Sequence, residues 1–350
     1  MTIVLPKTID DITLAWIESC LATRWPGLKI AAMRFGTVLH GAATKIRLFL
    51  DYEPLPGGEI PPASMWLKIG FEPHHDMMMG IYTAETTFFK SVRSLYDLHA
   101  PVAYFAVSQQ SPSQFAIFLE DLILRDAEFN SAVKPLSIDE AAAGLSTLAL
   151  IHGQSWGDER LSAIGIKSAF VDVRDVIETY HIPHVADFFG WTRAYAAPVA
   201  LLDQDRFKSA IAPYISFSQR PDCLLHGDTH IGNTYKEAGG IGFLDWQMLS
   251  IGNWVHDVSY FLISSLDIPD RRAAERDLLV HYLDCLGRHR QSPGPGFDEA
   301  WEDYRRAAFQ SFFTWISNSD DWQAPEINMS CYARASAAMM DLDSYTALGV

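Results

Sequence analysis

The sequence predicts an α+β fold in two lobes, a smaller strand-rich N-terminal lobe and a larger, mostly helical C-terminal lobe. The chain has 350 residues, which is above the size at which a single hydrophobic core usually keeps growing, so two cores are expected. Strand-like patterns are concentrated before residue 122, and most of the chain after residue 252 has helical periodicity. We therefore predict an N-terminal lobe over residues 1–122, with a helical extension over residues 1–27, and a C-terminal lobe over residues 123–350.

Composition indicates an ordered globular protein and argues against several functional classes. Hydrophobic residues make up 49% of the chain and charged residues 20%. The formal net charge of −16 opposes binding to nucleic acid, because basic side chains drive that binding by releasing counterions from the phosphate backbone. The four cysteines are far apart and form no CxxC pair, so neither a zinc ribbon nor a disulfide framework is predicted.

The termini and apolar runs predict a cytoplasmic protein without a membrane partner. The N-terminus lacks the basic region and long apolar core of a secretion signal. No apolar run reaches the roughly 18 residues that a membrane span needs. The sequence leaves the oligomeric state open.

Apolar spacing along the N-terminal lobe predicts two helices and several strands. Thr8, Asp10 and Asp11 are typical of a capped helix start, and this first helix should end near Pro26 and Gly27. Alternating apolar and polar residues predict strands, whereas spacings of three and four predict an amphipathic helix. In chain order these are a strand in TKIRLFLDYE (44–53), a strand in SMWLKIG (64–70), a helix in TAETTFFKSVRSLYDL (83–98) and two strands in YFAVSQQSPSQFAIFLEDL (104–122).

The segment EPHHDMMMG (72–80) lies between a predicted strand and a predicted helix. We interpret it as a loop, because connecting segments rich in polar residues usually are loops. Its histidines and methionines leave a metal site or a methionine-lined lid as alternatives.

The C-terminal lobe begins with a helical pattern over residues 137–157 and later contains a strand, turn and strand. DCLLHGD (222–228) and GIGFLDW (240–246) are short apolar stretches that end in polar residues. Strands of this kind would bring Asp228 and Asp245 together at neighbouring strand ends.

The polar residues of this segment suit magnesium and proton transfer. Asn233 follows Asp228 by five positions, and Asp245 follows the second strand. Carboxylate and amide oxygens with water suit Mg²⁺, which is commonly bound by a few protein ligands together with phosphate oxygens. A carboxylate that the metal does not use could accept the proton of an attacking hydroxyl.

HGDTHIGN, followed by FLDWQ, resembles the motifs of the aminoglycoside and choline kinase family, in particular its ecdysteroid-kinase-like branch. This family is similar in fold to protein kinases, so the resemblance implies a bilobal protein-kinase-like fold. It also implies that Asp228 is the catalytic base, that Asn233 and Asp245 bind Mg²⁺, and that ATP donates a phosphoryl group to a small-molecule alcohol. The resemblance continues through GNWVHDVSYFLISSL, where Asp257 resembles an aspartate that supports the metal loop.

The N-terminal half contains residues that fit the ATP-binding part of such a fold. Lys68 is a lone charge in an apolar strand, which is costly without a partner. The resemblance implies that Lys68 holds the phosphates of ATP and that Glu85, which opens the following predicted helix, pairs with Lys68.

The resemblance implies two further contacts to ATP. The phosphates would be covered by a loop within FGTVLHGAATKIRL, in which Gly36 and Gly41 match the looser glycine pattern of the family. The backbone of residues 120–122, from Glu120 to Leu122, would hydrogen-bond adenine in the connection between the lobes.

Three histidines near these motifs are interpreted as structural. His226 should pack within the catalytic loop, and His152 lies on an apolar helix stripe typical of a core. His230 is also assigned a structural role, with contact to phosphate or substrate as the alternative.

The sequence predicts an ATP-dependent kinase of a small alcohol and leaves two alternatives open. HGDTHIGN also has the histidine and aspartate content of a metal-dependent phosphoesterase, and the protein could bind a nucleotide without turnover. Aromatic residues in SFFTWISNSDDW (311–322) could line an acceptor site. An aminoglycoside would need a groove rich in carboxylates, and choline would need an aromatic cage. Because the C-terminal part is rich in aromatic residues and its acidic residues are only modestly clustered, we favour a neutral, hydrophobic alcohol.

Overall fold

The computed structural model describes residues 3–54, 61–290 and 293–350 of the chain. The chain divides into two compact units, of which the first comprises Met1–Ser91 and Pro101–Ala127 and the second Val92–Ala100 and Glu128–Val350. The first unit is built mainly on strands and the second mainly on helices, which confirms the predicted α+β fold class.

The first unit is built around a five-stranded sheet. Its elements are α1 (Leu14–Leu21), β1 (Ile30–Leu39), β2 (Thr44–Tyr52), β3 (Ser64–Ile69), α2 (Met79–Thr87), β4 (Ala103–Gln110) and β5 (Ser113–Glu120). The strands are antiparallel and lie in the order β1-β2-β3-β5-β4. In β2 the buried residues Ile46, Leu48 and Leu50 alternate with more exposed ones, as the sequence predicts for a half-buried strand. They belong to one buried cluster with Trp16 and Ile17 of helix α1.

The first helix begins later than its acidic residues suggest. Thr8 and Asp11 form a capping box, but it closes only the short 3₁₀ turn Ile9–Asp11. Helix α1 starts at Leu14, because the hydroxyl of Thr13 accepts a hydrogen bond of 3.2 Å from the backbone N–H of Trp16.

The second helix of this unit begins earlier than predicted. The segment interpreted as a loop contains a 3₁₀ turn over His75–Met78, and α2 begins directly after it at Met79. Met78 and Met79 are buried, so these methionines pack as core residues. As a consequence Glu85 lies near the end of α2, and the prediction that it opens the helix is wrong.

The second unit is a helical body with two small sheets. Helix α3 (Ile138–Gln154) starts with a capping box between Ser137 and Glu140, and α8 (Val255–Ser265) is buried along its whole length. The strands are β6 (Glu128–Phe129), β7 (Cys223–Leu225), β8 (Thr234–Glu237), β9 (Gly240–Phe243) and β10 (Ser250–Gly252). The helices are α3 (Ile138–Gln154), α4 (Arg160–Ala163), α5 (Arg174–Val176), α6 (Val185–Gly190), α7 (Gln204–Ser218), α8 (Val255–Ser265), α9 (Ile268–His289), α10 (Phe297–Ser317), α11 (Pro325–Asp341) and α12 (Ser344–Ala347).

The segment Val92–Ala100 belongs to the helical unit, although it precedes β4 of the first unit in the chain. The hydroxyl of Tyr96 donates to Asp158 at 2.6 Å, and the backbone N–H of Asp97 donates to Gln154 at 2.9 Å. These contacts join partners about sixty residues apart in the sequence, which is why apolar spacing does not reveal them.

Within the described ranges, no helix is both long and apolar enough to cross a membrane.

Candidate active site

The segment His226 to Asp228 leaves β7 through a backbone conformation that requires glycine. Gly227 has a φ of +83°, and a Cβ atom at this position would lie 2.2 Å from the carbonyl oxygen of Met248. Only glycine avoids both the left-handed strain and this overlap. The tight turn leaves the side chain of Asp228 21% exposed beside a buried loop.

Asp257 at the start of α8 holds this loop by its backbone. Its carboxylate accepts hydrogen bonds from the N–H groups of His226 at 2.7 Å and Gly227 at 2.9 Å. Its own carbonyl oxygen accepts from the hydroxyl of Thr229 at 2.7 Å. Burial acts to raise the pKa of the Asp257 carboxyl, but the hydrogen bond from His152 and the nearby imidazoles outweigh it and lower the pKa. A charged, buried carboxylate therefore anchors the loop.

His152 supports Asp257 from the opposite side, a role that its place on an apolar stripe did not reveal. The imidazole is buried, and its Nε2 donates to Asp257 Oδ2 at 3.2 Å while its Nδ1 lies 2.8 Å from the hydroxyl of Tyr282. Because the two residues are 105 positions apart, no local pattern in the sequence links them.

His226 is a structural imidazole. Its Nε2 donates to the carbonyl oxygen of Leu244 at 3.0 Å, and its Nδ1 accepts from the backbone N–H of Asp228 at 3.2 Å. Burial lowers the pKa of His226, so the neutral ring keeps a fixed tautomer. The bond to Leu244 connects the Asp228 loop to the end of β9. The sequence predicted that the strands before Asp228 and Asp245 would be neighbours, but β7 pairs with β10 and β9 pairs with β8. The hydrogen bond from His226 to Leu244 connects the two segments instead.

Asn233 and Asp245 lie at the open end of the hairpin formed by β8 and β9. Thr234 pairs with Phe243, and the backbone N–H of Leu244 donates to the carbonyl oxygen of Asn233 at 2.9 Å. Asp245 follows in a left-handed backbone conformation with a φ of +66°. Such a conformation is uncommon for a residue other than glycine and is concentrated at functional sites.

The donor set fits a hard cation such as Mg²⁺. The amide nitrogen of Asn233 donates to the Asp228 carbonyl oxygen at 2.8 Å and to its carboxylate at 2.9 Å. This orientation leaves the amide oxygen of Asn233 as the atom that could bind a cation. One amide oxygen and the Asp245 carboxylate suit Mg²⁺, which keeps several waters and phosphate oxygens in its coordination shell. Among the described residues, no three or more His, Cys, Asp and Glu side chains are grouped so that they could hold a metal ion by themselves.

His230 packs against the site with one ring nitrogen already used. Its Nδ1 accepts from the backbone N–H of Gly232 at 3.1 Å, and its Nε2 lies 3.9 Å from Asp228 Oδ2. The ring meets that of Trp315 edge-on at 5.4 Å. These contacts are those of a structural histidine placed beside Asp228.

The aromatic segment of residues 311–322 is mainly core. Phe312 and Trp315 are buried, whereas Trp322 is 43% exposed. Thr314, between the buried rings, keeps partial exposure. The prediction that this segment lines an acceptor site therefore applies to few of its side chains.

In the first unit, Lys68 and Glu85 form a buried ion pair. Lys68 lies on β3, between Lys45 of β2 and Ile117 of β5. Its Nζ is 2.6 Å from the Glu85 carboxylate, and both side chains are almost completely buried. The family resemblance implied this pairing, and the structure brings the two residues together.

Removal of one member of this pair should destabilise the protein strongly. For Glu85→Ala we expect a loss of about 3–5 kcal/mol in the free energy of unfolding, because the ammonium group of Lys68 stays buried without its carboxylate. The double variant Lys68→Met/Glu85→Leu should recover most of the loss. Urea unfolding measures both.

The matched control is the pair of Lys29 and Glu18, in which the lysine is 63% exposed. Lys29→Ala should cost less than about 1 kcal/mol. An equal loss in Glu85→Ala and Lys29→Ala would contradict a buried, strongly coupled pair.

The two glycines expected in a phosphate-covering loop occupy different settings. Gly36 lies inside β1, next to a register shift between Phe35 and Val38, and a Cβ atom there would meet the ring of Phe49 at 2.6 Å. Gly41 lies in the turn between β1 and β2 and has open space around it. The loop is thus shorter than the sequence suggested, because β1 continues to Leu39.

Some backbone groups of the segment after β5 already form hydrogen bonds within the protein. The N–H of Glu120 donates to the carbonyl oxygen of Val102 at 2.9 Å, and the carbonyl oxygen of Leu122 accepts from Ala127 at 3.2 Å. The carboxylate of Glu120 accepts from Val102 and from Arg125. The predicted adenine contacts of Glu120 and Leu122 stay a prediction.

Comparison with solved structures shows which proteins share this fold. A putative aminoglycoside phosphotransferase from Ralstonia eutropha is 13% identical, with a TM-score of 0.53 over 93% of this chain and 97% of the other. A microcompartment-associated aminopropanol kinase is 12% identical, with a TM-score of 0.53 over 94% and 97%. A choline kinase from Streptococcus pneumoniae is 12% identical, with a TM-score of 0.50 over 93% and 98%. At these identities the similarity shows the fold.

Comparison at the level of sequence gives the family. A search of curated proteins found no significant match. The profile of the phosphotransferase enzyme family matches residues 110–295, more than half of the chain, and this range includes Asp228, Asn233 and Asp245. The narrower ecdysteroid-kinase-like branch stays a prediction. With its sequence profile and its fold in agreement, the chain belongs to the phosphotransferase enzyme family.

Proposed function

We propose that this phosphotransferase is a small-molecule kinase that moves the γ-phosphoryl group of ATP to a hydroxyl group of a small, hydrophobic alcohol. The observation that carries the proposal is the arrangement of Asp228 and Asn233. One amide group holds the carboxylate through its nitrogen and keeps its oxygen for a cation, so a base and a metal ligand are set side by side.

The proposed reaction is an in-line displacement at phosphorus. Asp228 accepts the proton of the acceptor hydroxyl, the acceptor oxygen forms a bond to the γ-phosphorus, and the bond between the γ-phosphorus and its bridging oxygen breaks to release ADP. Asn233 and Asp245 would hold Mg²⁺, which when bound neutralises charge on the phosphate oxygens.

The residues of the first unit are assigned to ATP. Lys68, kept in place by Glu85, would hold the α- and β-phosphates. Backbone groups at Gly36 and Gly41 would contact the phosphates, and those of Glu120 and Leu122 would bind adenine.

The histidine contacts favour this reaction over a two-metal phosphoesterase. Both ring nitrogens of His226 are engaged, and so are those of His256, whose Nε2 donates to the Gly227 carbonyl oxygen at 3.0 Å and whose Nδ1 accepts from Tyr214 at 2.8 Å. An imidazole with both nitrogens in hydrogen bonds has no lone pair left for a metal.

A screen of alcohols with Mg²⁺ and ATP tests the proposal. We expect at least one hydrophobic alcohol to gain the mass of one phosphoryl group in an ATP-dependent reaction, read by mass spectrometry. The panel should include aminoglycosides and choline as charged acceptors. Hydrolysis of a phosphate ester without ATP would favour the phosphoesterase, and ATP binding with no consumption would favour a protein without turnover.

A further inference from the structure

A buried hydroxyl group lies beside Asp228 without a completed hydrogen bond. Tyr260 on α8 is 1% exposed, and its hydroxyl lies next to the Asp228 carboxylate and the Thr314 hydroxyl. No described residue forms a hydrogen bond of ordinary geometry with the phenolic oxygen. Other buried polar atoms share this state, but Tyr260 differs from them by its position at the proposed base. Buried polar groups without partners are uncommon and call for an explanation.

Two other rings pack against Tyr260. The ring of His230 lies 5.9 Å from that of Tyr260, and the ring of Trp315 lies 6.5 Å from it. His230 and Trp315 also contact each other. The phenol ring is thus packed against His230, whose Nε2 lies 3.9 Å from the Asp228 carboxylate.

Two polar side chains of α10 determine which hydrogen the Tyr260 hydroxyl can donate. Gln310 Nε2 donates to Thr314 Oγ1 at 3.1 Å, one turn along α10. The hydroxyl hydrogen of Thr314 is then available to the phenolic oxygen, which leaves the hydrogen of Tyr260 for Asp228. Burial raises the pKa of Tyr260 well above its usual value, so the phenol keeps this hydrogen and acts as a neutral donor.

A second donor would change what Asp228 can do. Asn233 bonds one carboxylate oxygen, Oδ2, at 2.9 Å, and a single contact leaves the plane of the carboxylate free to turn. A bond from Tyr260 would fix that plane. Because proton transfer depends on the orientation of the accepting oxygen, a fixed plane favours the reaction.

We propose that Tyr260 is a positioning residue for Asp228, and that its hydroxyl, oriented by Thr314 and Gln310, completes a hydrogen bond to the carboxylate when an acceptor hydroxyl, of an alcohol or of water, is bound. This inference rests on the proposed function, since it needs Asp228 as the base. Tyr260 keeps its proton throughout, and the proton of the acceptor goes to Asp228.

The test compares Tyr260→Phe with the wild-type chain in Mg²⁺ and ATP alone, with water as the acceptor and release of inorganic phosphate as the readout. We expect kcat to fall about 10- to 100-fold, with no change in the KM for ATP. The thermal unfolding temperature should be equal or higher, because the variant removes an unsatisfied buried hydroxyl. Thr314→Val should also lower kcat, and Thr314→Ser, which keeps the hydroxyl, should restore it.

Tyr304→Phe is the matched control. Tyr304 is also fully buried, but its hydroxyl lies 3.2 Å from Glu275 and serves another cluster, so kcat should not change. Wild-type kcat in Tyr260→Phe would overturn the inference, and so would a fall in kcat that only follows a loss of folded protein. A wild-type rate no higher than that of Asp228→Ala would instead overturn the proposed function, and the inference with it.

Discussion

Asp228→Ala is expected to lower phosphoryl transfer by about 10²- to 10⁴-fold while ATP still binds. The carboxylate is partly exposed at the end of a loop that Asp257 anchors. Its loss removes the proposed acceptor of the alcohol's proton, whereas the residues assigned to ATP remain. Single-turnover transfer and calorimetric titration with ATP and Mg²⁺ measure the two effects separately.

Asp245→Ala gives the complementary result. The proposal assigns Asp245 to Mg²⁺, so this variant should lose binding of ATP with Mg²⁺ as well as turnover. Asp277→Ala, at an exposed position of α9, controls for the loss of a carboxylate as such and should behave like wild type. Full turnover in Asp228→Ala or in Asp245→Ala would rule out the assigned role.

The sequence reveals those site residues that are close together in the chain. Asp228, Asn233 and Asp245 lie in one short stretch, and the turn and hairpin that hold them are formed by local hydrogen bonds. Local patterns of this kind determine which side chains meet, so they can be read before the structure is known.

Residues that meet through distant contacts were harder to predict. His152 was assigned to the core by its apolar stripe, which is correct for its burial but does not indicate its bond to Asp257. The sequence did not distinguish Tyr260 from the other aromatic residues. The packing of α8 against α10 places it beside Asp228 and Thr314. A periodic pattern specifies which face is buried and leaves the identity of the partner open.

The boundaries of the elements were also predicted wrongly where packing rather than the local pattern determines them. Glu85 was expected at the start of its helix, but the preceding methionines are buried and extend α2 towards the N-terminus. The pairing of Glu85 with Lys68 does not depend on that boundary, since a buried lysine needs a carboxylate wherever the helix begins. The family resemblance was thus a better guide to the partner of Lys68 than the expected helix start was.

Gly227→Ala is expected to have the largest effect on the fold of the loop that carries Asp228. The new Cβ atom would lie 2.2 Å from the backbone carbonyl oxygen of Met248 and 2.9 Å from its carbonyl carbon, at a φ of +83°. A backbone group cannot rotate away as a flexible side chain can, so the loop or the Met248 segment must move. We expect a loss of at least about 3 kcal/mol in the free energy of unfolding, from left-handed strain and overpacking together. Turnover should be lost as well, because Gly227 donates to Asp257 and precedes Asp228.

Gly165→Ala separates the two causes of this effect. Gly165 has a similar φ of +89°, but a Cβ atom there would have nothing within 4 Å. This control should therefore cost only the left-handed strain, about 1–2 kcal/mol, and should keep full turnover. Denaturant unfolding and phosphate release in both variants give the comparison. Equal losses of stability in Gly227→Ala and Gly165→Ala would show that the loop tolerates a side chain next to Met248, and the close approach would then not be what holds Asp228 in place.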